Sequence, residues 1–339
     1  MKKLSIIFAL LLVVSLVFAS QVNVSTWGFN LDLLDKNISE PFLKEYGMQV
    51  VRDLGNNSVR LTKLITQKNN PVIDVAHFAD YYAQLGREEE LFEPIDVSKL
   101  ENYDELFDFA KDPIGGNYAL AYAVSSYGIV YRTDLIEDPI TSWKDFWRED
   151  VAGYISLPDF TITQGPAFMM HMNKIFGAPE GDETLDTAFA KLSEIKEDVV
   201  TFYRTSSELI NLFQMEEVWM SPAPRFSWGQ FMGTGLPLAF VIPEEGVLGF
   251  FSTVSVVKNA PNRDAAYNYI DFILSNSVQT AQAMDLVDSP VNKNVVVPED
   301  KAAFLTVGDE VASLIFYDIE TIVRNREVWL EKWNKFLGQ

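Results

Sequence analysis

Two stretches near the start of the chain repeat one order of elements, and that order limits the fold more than any other feature. In "SEPFLKEYGMQVVRDLG" apolar residues recur at helical spacing through Phe42, Leu43 and Tyr46, Gly47 stops the helix, and a β-rich run follows from Met48 to Val51. "SVRLTKLITQKNNPVIDVAHFA" repeats the sequence of helix, Asn-Asn-Pro breaker and buried-strand run, here Val72 to Ala76. Helices alternating with short strands imply a parallel sheet and an α/β fold.

Further along the texture changes. "NYALAYAVSSYGIVYRTDLI" contains two β-rich pieces, Tyr118 to Val124 and Tyr127 to Arg132, joined at Ser125-Ser126, and reads as an excursion into a second domain. "GLPLAFVIPEEGVLGFFSTVSVVKNAPNRDAAYNYIDFIL" gives strand, Pro243 break, strand, then an amphipathic helix from Arg263 to Leu274, which reads as the return crossing. The 339 residues exceed what one core usually supports. The expected arrangement is one lobe of residues 22–121 with 246–291 and a second of 122–245 with 292–339.

The first twenty residues, "MKKLSIIFALLLVVSLVFAS", read as a secretory signal, with two lysines, an apolar run and a cleavage point after Ala19. The chain has no cysteine, which excludes disulfides, thiolate chemistry and a lipid-modified cysteine anchor, so a free periplasmic protein is expected. The net charge is −21 with no basic run, a poor match for nucleic acid or anionic membrane. His77 and His171 are the only histidines and have no metal-ligand spacing; no phosphate-cradle, dinucleotide or hydrolase-elbow motif occurs, so no metal or cofactor is expected. The acid runs Glu88-Glu89-Glu90, Glu216-Glu217 and Glu244-Glu245 read as solvated charge, because adjacent side chains diverge.

Two segments suggest ligand chemistry. In "TSSELINLF" the hydroxyls precede a helical pattern, so Ser206 or Ser207 is read as an N-cap, with Ser206 also a candidate ligand donor. In "MSPAPRFSWGQ" Pro222 and Pro224 fix φ on either side of Ala223, and so hold out the guanidinium fork of Arg225.

Four pieces then form a recognisable set: "DPITSWKDFWREDVAGYISLPD", "VIDVAHFADYYAQLGREEELFEPID", "VIPEEGVLGFFSTVSVVKNAPNRDAAYNYIDFIL" and "DSPVNKNVV". Together they resemble, from about Val24 to the end, the exported solute-binding proteins of ABC transporters, in their spermidine/putrescine-binding branch. The resemblance implies a type II periplasmic-binding-protein fold, with two lobes of mixed sheet flanked by helices and a ligand cleft between them. It also implies a monomer that closes on a small solute and docks on a membrane permease, without catalysis.

Carried over by position, the resemblance puts Trp27, Tyr81 and Phe250 as aromatic walls of the cleft, with Asn30, Asp80 and Ser126 completing the candidate set. The acid that grips an amine in the family falls at Ser252, and a family tryptophan falls at Pro224, beside Arg225. The cation-binding chemistry therefore departs from the pattern. Arg225 is expected to bind a carboxylate of the solute, with Ser252 or Thr163 filling its remaining acceptors. A pairing of Arg225 with Glu216 or Glu217, or neutralisation by Asp159 that leaves room for a polyamine, stays open. So do a secreted hydrolase or lyase using Asp159 with Glu216 or Glu217, and a ferric-ion binder using Tyr81 and Tyr82.

Overall fold

The computed structural model describes residues 20–338. The expected leader lies outside them except for Ser20. Among the described residues eleven strands form one mixed sheet: β1 (Gln21–Thr26), β2 (Gln49–Leu54), β3 (Val75–Ala79), β4 (Leu120–Arg132), β5 (Ile155–Pro158), β6 (Val199–Tyr203), β7 (Met220–Pro224), β8 (Leu238–Val241), β9 (Val247–Val256), β10 (Ser289–Pro290) and β11 (Leu314–Ile315). The main order is β2-β1-β3-β9-β4-β7-β5-β6, with β8 and β10 against β4 and β11 against β9. No helix among the described residues is long and apolar enough to cross a membrane.

The two ends of the sheet are parallel, as the helix–strand alternation requires: β1 beside β2 and β3, and β5 beside β6 and β7. Between them run β4 and β9, antiparallel to each other and buried along nearly their whole length. At about 3.4 Å per residue the 13 residues of β4 span roughly 44 Å, enough to serve both ends. The two pieces expected on either side of Ser125-Ser126 are thus one strand. Both serines pair with β9, opposite Phe250 and Gly249, and small hydroxyl residues do not interrupt a ladder that is satisfied.

Packing changes hands along these two strands. Val24, Phe42, Val124, Phe251 and Ile270 belong to one core, with Phe78 and Phe92 in a smaller cluster beside it. Tyr127, Trp143, Phe160, Phe213, Phe250 and Trp333 belong to another. The last helix, Ile319–Leu337, buries Trp329 and Trp333 in the second core. Before it, the chain passes the junction a third time: β10 pairs with Ala123 and Val124, and β11 pairs with Val247 and Leu248. Phe316 presses on the backbone there; a Cβ on Gly249 would stand 2.2 Å from its ring, so only glycine fits.

The Ser-Trp-Lys-Asp-Phe-Trp block is structural. Ser142 and Asp145 form a capping box, Trp143 is fully buried, and its indole donates to the Gly246 carbonyl at 2.8 Å. Glu245, read from sequence as solvated, accepts the Ser142 hydroxyl at 2.6 Å and the Trp143 N–H at 3.2 Å. The strand expected from Val72 to Ala76 begins at Val75 instead. Buried Asp74 turns the chain just before it, accepting the N–H groups of Asn23 and Asn262 at 2.7 Å each, and Val72 is left exposed.

Candidate functional site

The fork of Arg225 has a partner within the chain. It follows the fully buried strand β7, and its guanidinium carbon lies 3.9 Å from the centre of the Phe240 ring. Nε donates to Oε1 of Glu310 at 3.1 Å, Nη2 donates to Oε2 of the same carboxylate, and Nη1 reaches the Ala303 carbonyl at 3.4 Å. Glu310 also accepts the Ser126 hydroxyl, while the Ser126 N–H donates to Thr306 Oγ1 at 2.9 Å. Ser126, Arg225 and Glu310 are all buried. The fork expected to hold a solute carboxylate therefore holds one from the third crossing of the junction. The expected loop partner is also displaced: Glu216 sits in a left-handed turn (φ 59°), 3.7 Å from Arg132.

At Tyr81 the arrangement differs. Asp80 opens the helix Asp80–Glu88 and is buried, accepting the N–H groups of Tyr81 at 2.7 Å and of Phe251 at 3.1 Å. Burial pushes its carboxyl up to about 6 against those two bonds. Asp80 thus pins the helix to β9, and its side chain is already engaged. Tyr81 and Tyr82 lie on this helix rather than on a strand, ring centres 5.2 Å apart and edge to face.

Tyr81, Tyr82, Thr161, Ile162, Thr163, Pro166 and Arg326 line one small pocket open to solvent. The guanidinium of Arg326 stands 5.4 Å from the Tyr81 ring centre, and among the described residues it has no carboxylate partner and no hydrogen bond. The buried Asp159 carboxylate accepts the N–H of Thr161 at 2.8 Å and pairs with an Arg204 nitrogen at 3.3 Å rather than with Arg326. The helix Gly165–Ile175 begins at the pocket wall with Pro166 in its first turn. Its N-terminal dipole adds positive potential to that of Arg326.

The other expected residues lie apart. Trp27 is half-buried and lines a different cavity, with the Arg60 guanidinium 4.8 Å from its ring centre. Asn30 is exposed in a left-handed turn (φ 52°). Phe250 packs edge-on to Tyr127 at 6.0 Å inside the second core rather than standing free as a wall. Ser252 is half-buried on β9 between Ala79 and Ala123. Ser206 accepts the Ser227 hydroxyl at 2.7 Å, and the N-cap is Thr205, whose oxygen takes the Glu208 N–H at 3.1 Å. The structure thus joins Tyr81 and Thr163 at one pocket and Ser126 and Arg225 at the junction. Sequence reasoning missed Arg326 and Glu310; both look like ordinary surface charges of amphipathic segments.

Comparison with known proteins gives one consistent picture. A profile described as "Bacterial extracellular solute-binding protein" matches residues 37–305. The spermidine/putrescine-binding periplasmic protein of Escherichia coli is 26% identical over 292 residues, 84% of this chain and 80% of that protein. A crystal structure of an ABC transporter from Clostridium perfringens is 36% identical, covering 93% of this chain and 99% of that one at a TM-score of 0.85. The spermidine/putrescine substrate-binding protein of Streptococcus pneumoniae shares the fold at 20% identity, covering 94% of this chain and 99% of that one, TM-score 0.76.

Proposed function

The chain belongs to the bacterial extracellular solute-binding proteins, and on that footing we propose that it is a periplasmic receptor of an ABC importer whose solute carries a carboxylate, held by Arg326. The receptor role follows from the family. The charge of the solute is read from the pocket.

Lobes of residues 22–121 with 246–291 and of 122–245 with 292–339 would close on the solute. A cleft built from both drives closure because its contacts are complete only when they meet. Tyr81 comes from the first of these, Thr161 and Thr163 from the excursion after β5, and Arg326 from the last helix. The observation that carries the reading is the Arg326 guanidinium, without a carboxylate partner among the described residues, in a pocket it shares with the hydroxyl-bearing Tyr81, Tyr82, Thr161 and Thr163 and the apolar Ile162 and Pro166. A guanidinium offers a planar fork to a carboxylate, with hydroxyls of Tyr81 and Thr163 placed to complete its acceptors. The net charge of −21 opposes anions at a distance, but screening beyond about 8 Å at physiological salt leaves the local guanidinium dominant.

The curated relatives are named for spermidine and putrescine. Here the position of the expected amine-gripping acid is Ser252, and an unpaired cation faces the pocket. A guanidinium about 5 Å from an ammonium costs roughly 3 kcal/mol at an effective dielectric near 20.

Thermal-shift screening of the chain lacking its first 19 residues, against small carboxylic acids, amino acids, spermidine and putrescine, tests the proposal. A bound carboxylate at 100 times its dissociation constant stabilises the protein by about 2.7 kcal/mol. Stabilisation by the polyamines alone would overturn the anionic reading.

A further inference from the structure

The pocket at Arg326 holds a hydrogen-bond imbalance that a carboxylate alone does not resolve. Thr161 donates its hydroxyl proton to Asp159 Oδ1 at 2.5 Å, and the Thr161 N–H goes to the same oxygen at 2.8 Å. A threonine hydroxyl has one proton to give and two lone pairs to fill. With that proton committed inside the chain, Thr161 Oγ1 can only accept, and among the described residues nothing donates to it. The hydroxyls of Tyr82 and Thr163, on the same pocket, have no partner among the described residues either. A carboxylate on the Arg326 fork accepts and donates nothing, so it serves the donors of the pocket and none of its acceptors.

The group that fills Thr161 Oγ1 therefore carries a proton on oxygen or on nitrogen, and the surrounding charges choose between the two. The buried Asp159 is matched at its other oxygen by Arg204 at 3.3 Å. Across the pocket stands Arg326, without a carboxylate partner among the described residues. An ammonium at Thr161 would meet that guanidinium over a short distance, whereas a neutral hydroxyl donates without the repulsion.

We propose that the solute is a small hydroxy acid: its carboxylate rests on Arg326 and the hydroxyl beside that carboxylate donates to Thr161 Oγ1. Thr161 then sorts hydroxy acids from plain acids and from amino acids. Asp159 is a positioning residue, because its two bonds to Thr161 hold the hydroxyl in one rotamer and take up its only proton. The inference rests on the carboxylate reading of Arg326 and adds to it the group next to the carboxylate.

Propionate, lactate and alanine differ in carrying hydrogen, hydroxyl or ammonium at the carbon beside the carboxylate. Each, with lactate as both enantiomers, is titrated by calorimetry into the wild type, Thr161→Val and Arg326→Ala. One lactate is expected to bind the wild type about tenfold or more tighter than propionate, with alanine weaker than that lactate. Thr161→Val keeps the backbone N–H and Arg204 on Asp159; it is expected to bring lactate to within about threefold of propionate and to leave propionate unchanged. Arg326→Ala weakens both acids. Equal affinity of propionate and both lactates for the wild type, a comparison that needs no substitution, overturns the hydroxy-acid inference and leaves the carboxylate reading standing, with water filling Thr161. Tighter binding of alanine than of lactate, or a preference for lactate that survives in Thr161→Val, also overturns it. Binding of neither propionate nor lactate overturns both readings.

Discussion

Arg225 and Arg326 carry the same group on the same chain, and the structure treats them in opposite ways. Arg225 is held by prolines on a buried strand and clamped by Glu310, 85 residues downstream, with the Ser126 hydroxyl on the same carboxylate. Arg326 stands on a helix with an aromatic ring beside it and no anion in reach among the described residues. A buried fork with its partner present stabilises one conformation; a half-exposed fork without one is available to a ligand. Rigidity of the backbone around an arginine therefore does not tell which of the two it is, because the partner is supplied by a distant segment.

Removing the clamp gives the largest expected effect. Glu310→Ala leaves the Arg225 charge buried and unpaired, and denaturant unfolding is expected to show a loss of about 3–5 kcal/mol. A loss below about 1 kcal/mol would erase the contrast by showing that Arg225 finds solvent. Next comes Arg326→Ala, expected to remove about 2–5 kcal/mol of carboxylate binding while unfolding stays within about 0.5 kcal/mol of wild type.

A third test uses pH at the Tyr81 end. The Asp80 carboxyl is raised from 3.8 to about 6 in the folded protein, so its contribution to stability is fully present below the unfolded value and is lost as pH rises through about 6. Asp80→Asn should remove that slope, changing the difference in unfolding free energy between pH 4 and pH 7 by about 2–3 kcal/mol relative to wild type. An unchanged difference would place the carboxylate in contact with solvent. The smallest expected effect is Tyr81→Ala, a loss of affinity of about tenfold with the ligand-free melting temperature nearly unmoved; a large drop in melting temperature with intact binding would make Tyr81 a core residue.

Much of the framework was legible in the chain. The helix Arg263–Leu274 falls where its apolar spacing puts it, and the strands expected around Ala123 and after Pro243 appear as β4 and β9. What local pattern could not reach was decided by tertiary contacts. Ser125-Ser126 reads as a break until β9 supplies the pairing, and Thr205 rather than Ser206 caps its helix because its backbone is the one left extended. The candidate site was less legible still. Tyr81 and Thr163 line one pocket, but Phe250 went into a core, Ser126 and Arg225 into an internal network, and Trp27 to a separate cavity. Arg326 gave no local signal, because its role depends on the acids that are missing around it.

The central claim is that Arg326, and not Arg225, holds the charged group of the solute. Calorimetric titration of one stabilising carboxylate into Arg326→Ala and Arg225→Lys, side by side at a temperature where both are folded, tests it most directly. Arg326→Ala is expected to weaken binding by about 30-fold or more, and Arg225→Lys to leave it within about threefold of wild type. Loss of binding in Arg225→Lys with affinity retained in Arg326→Ala would contradict the assignment.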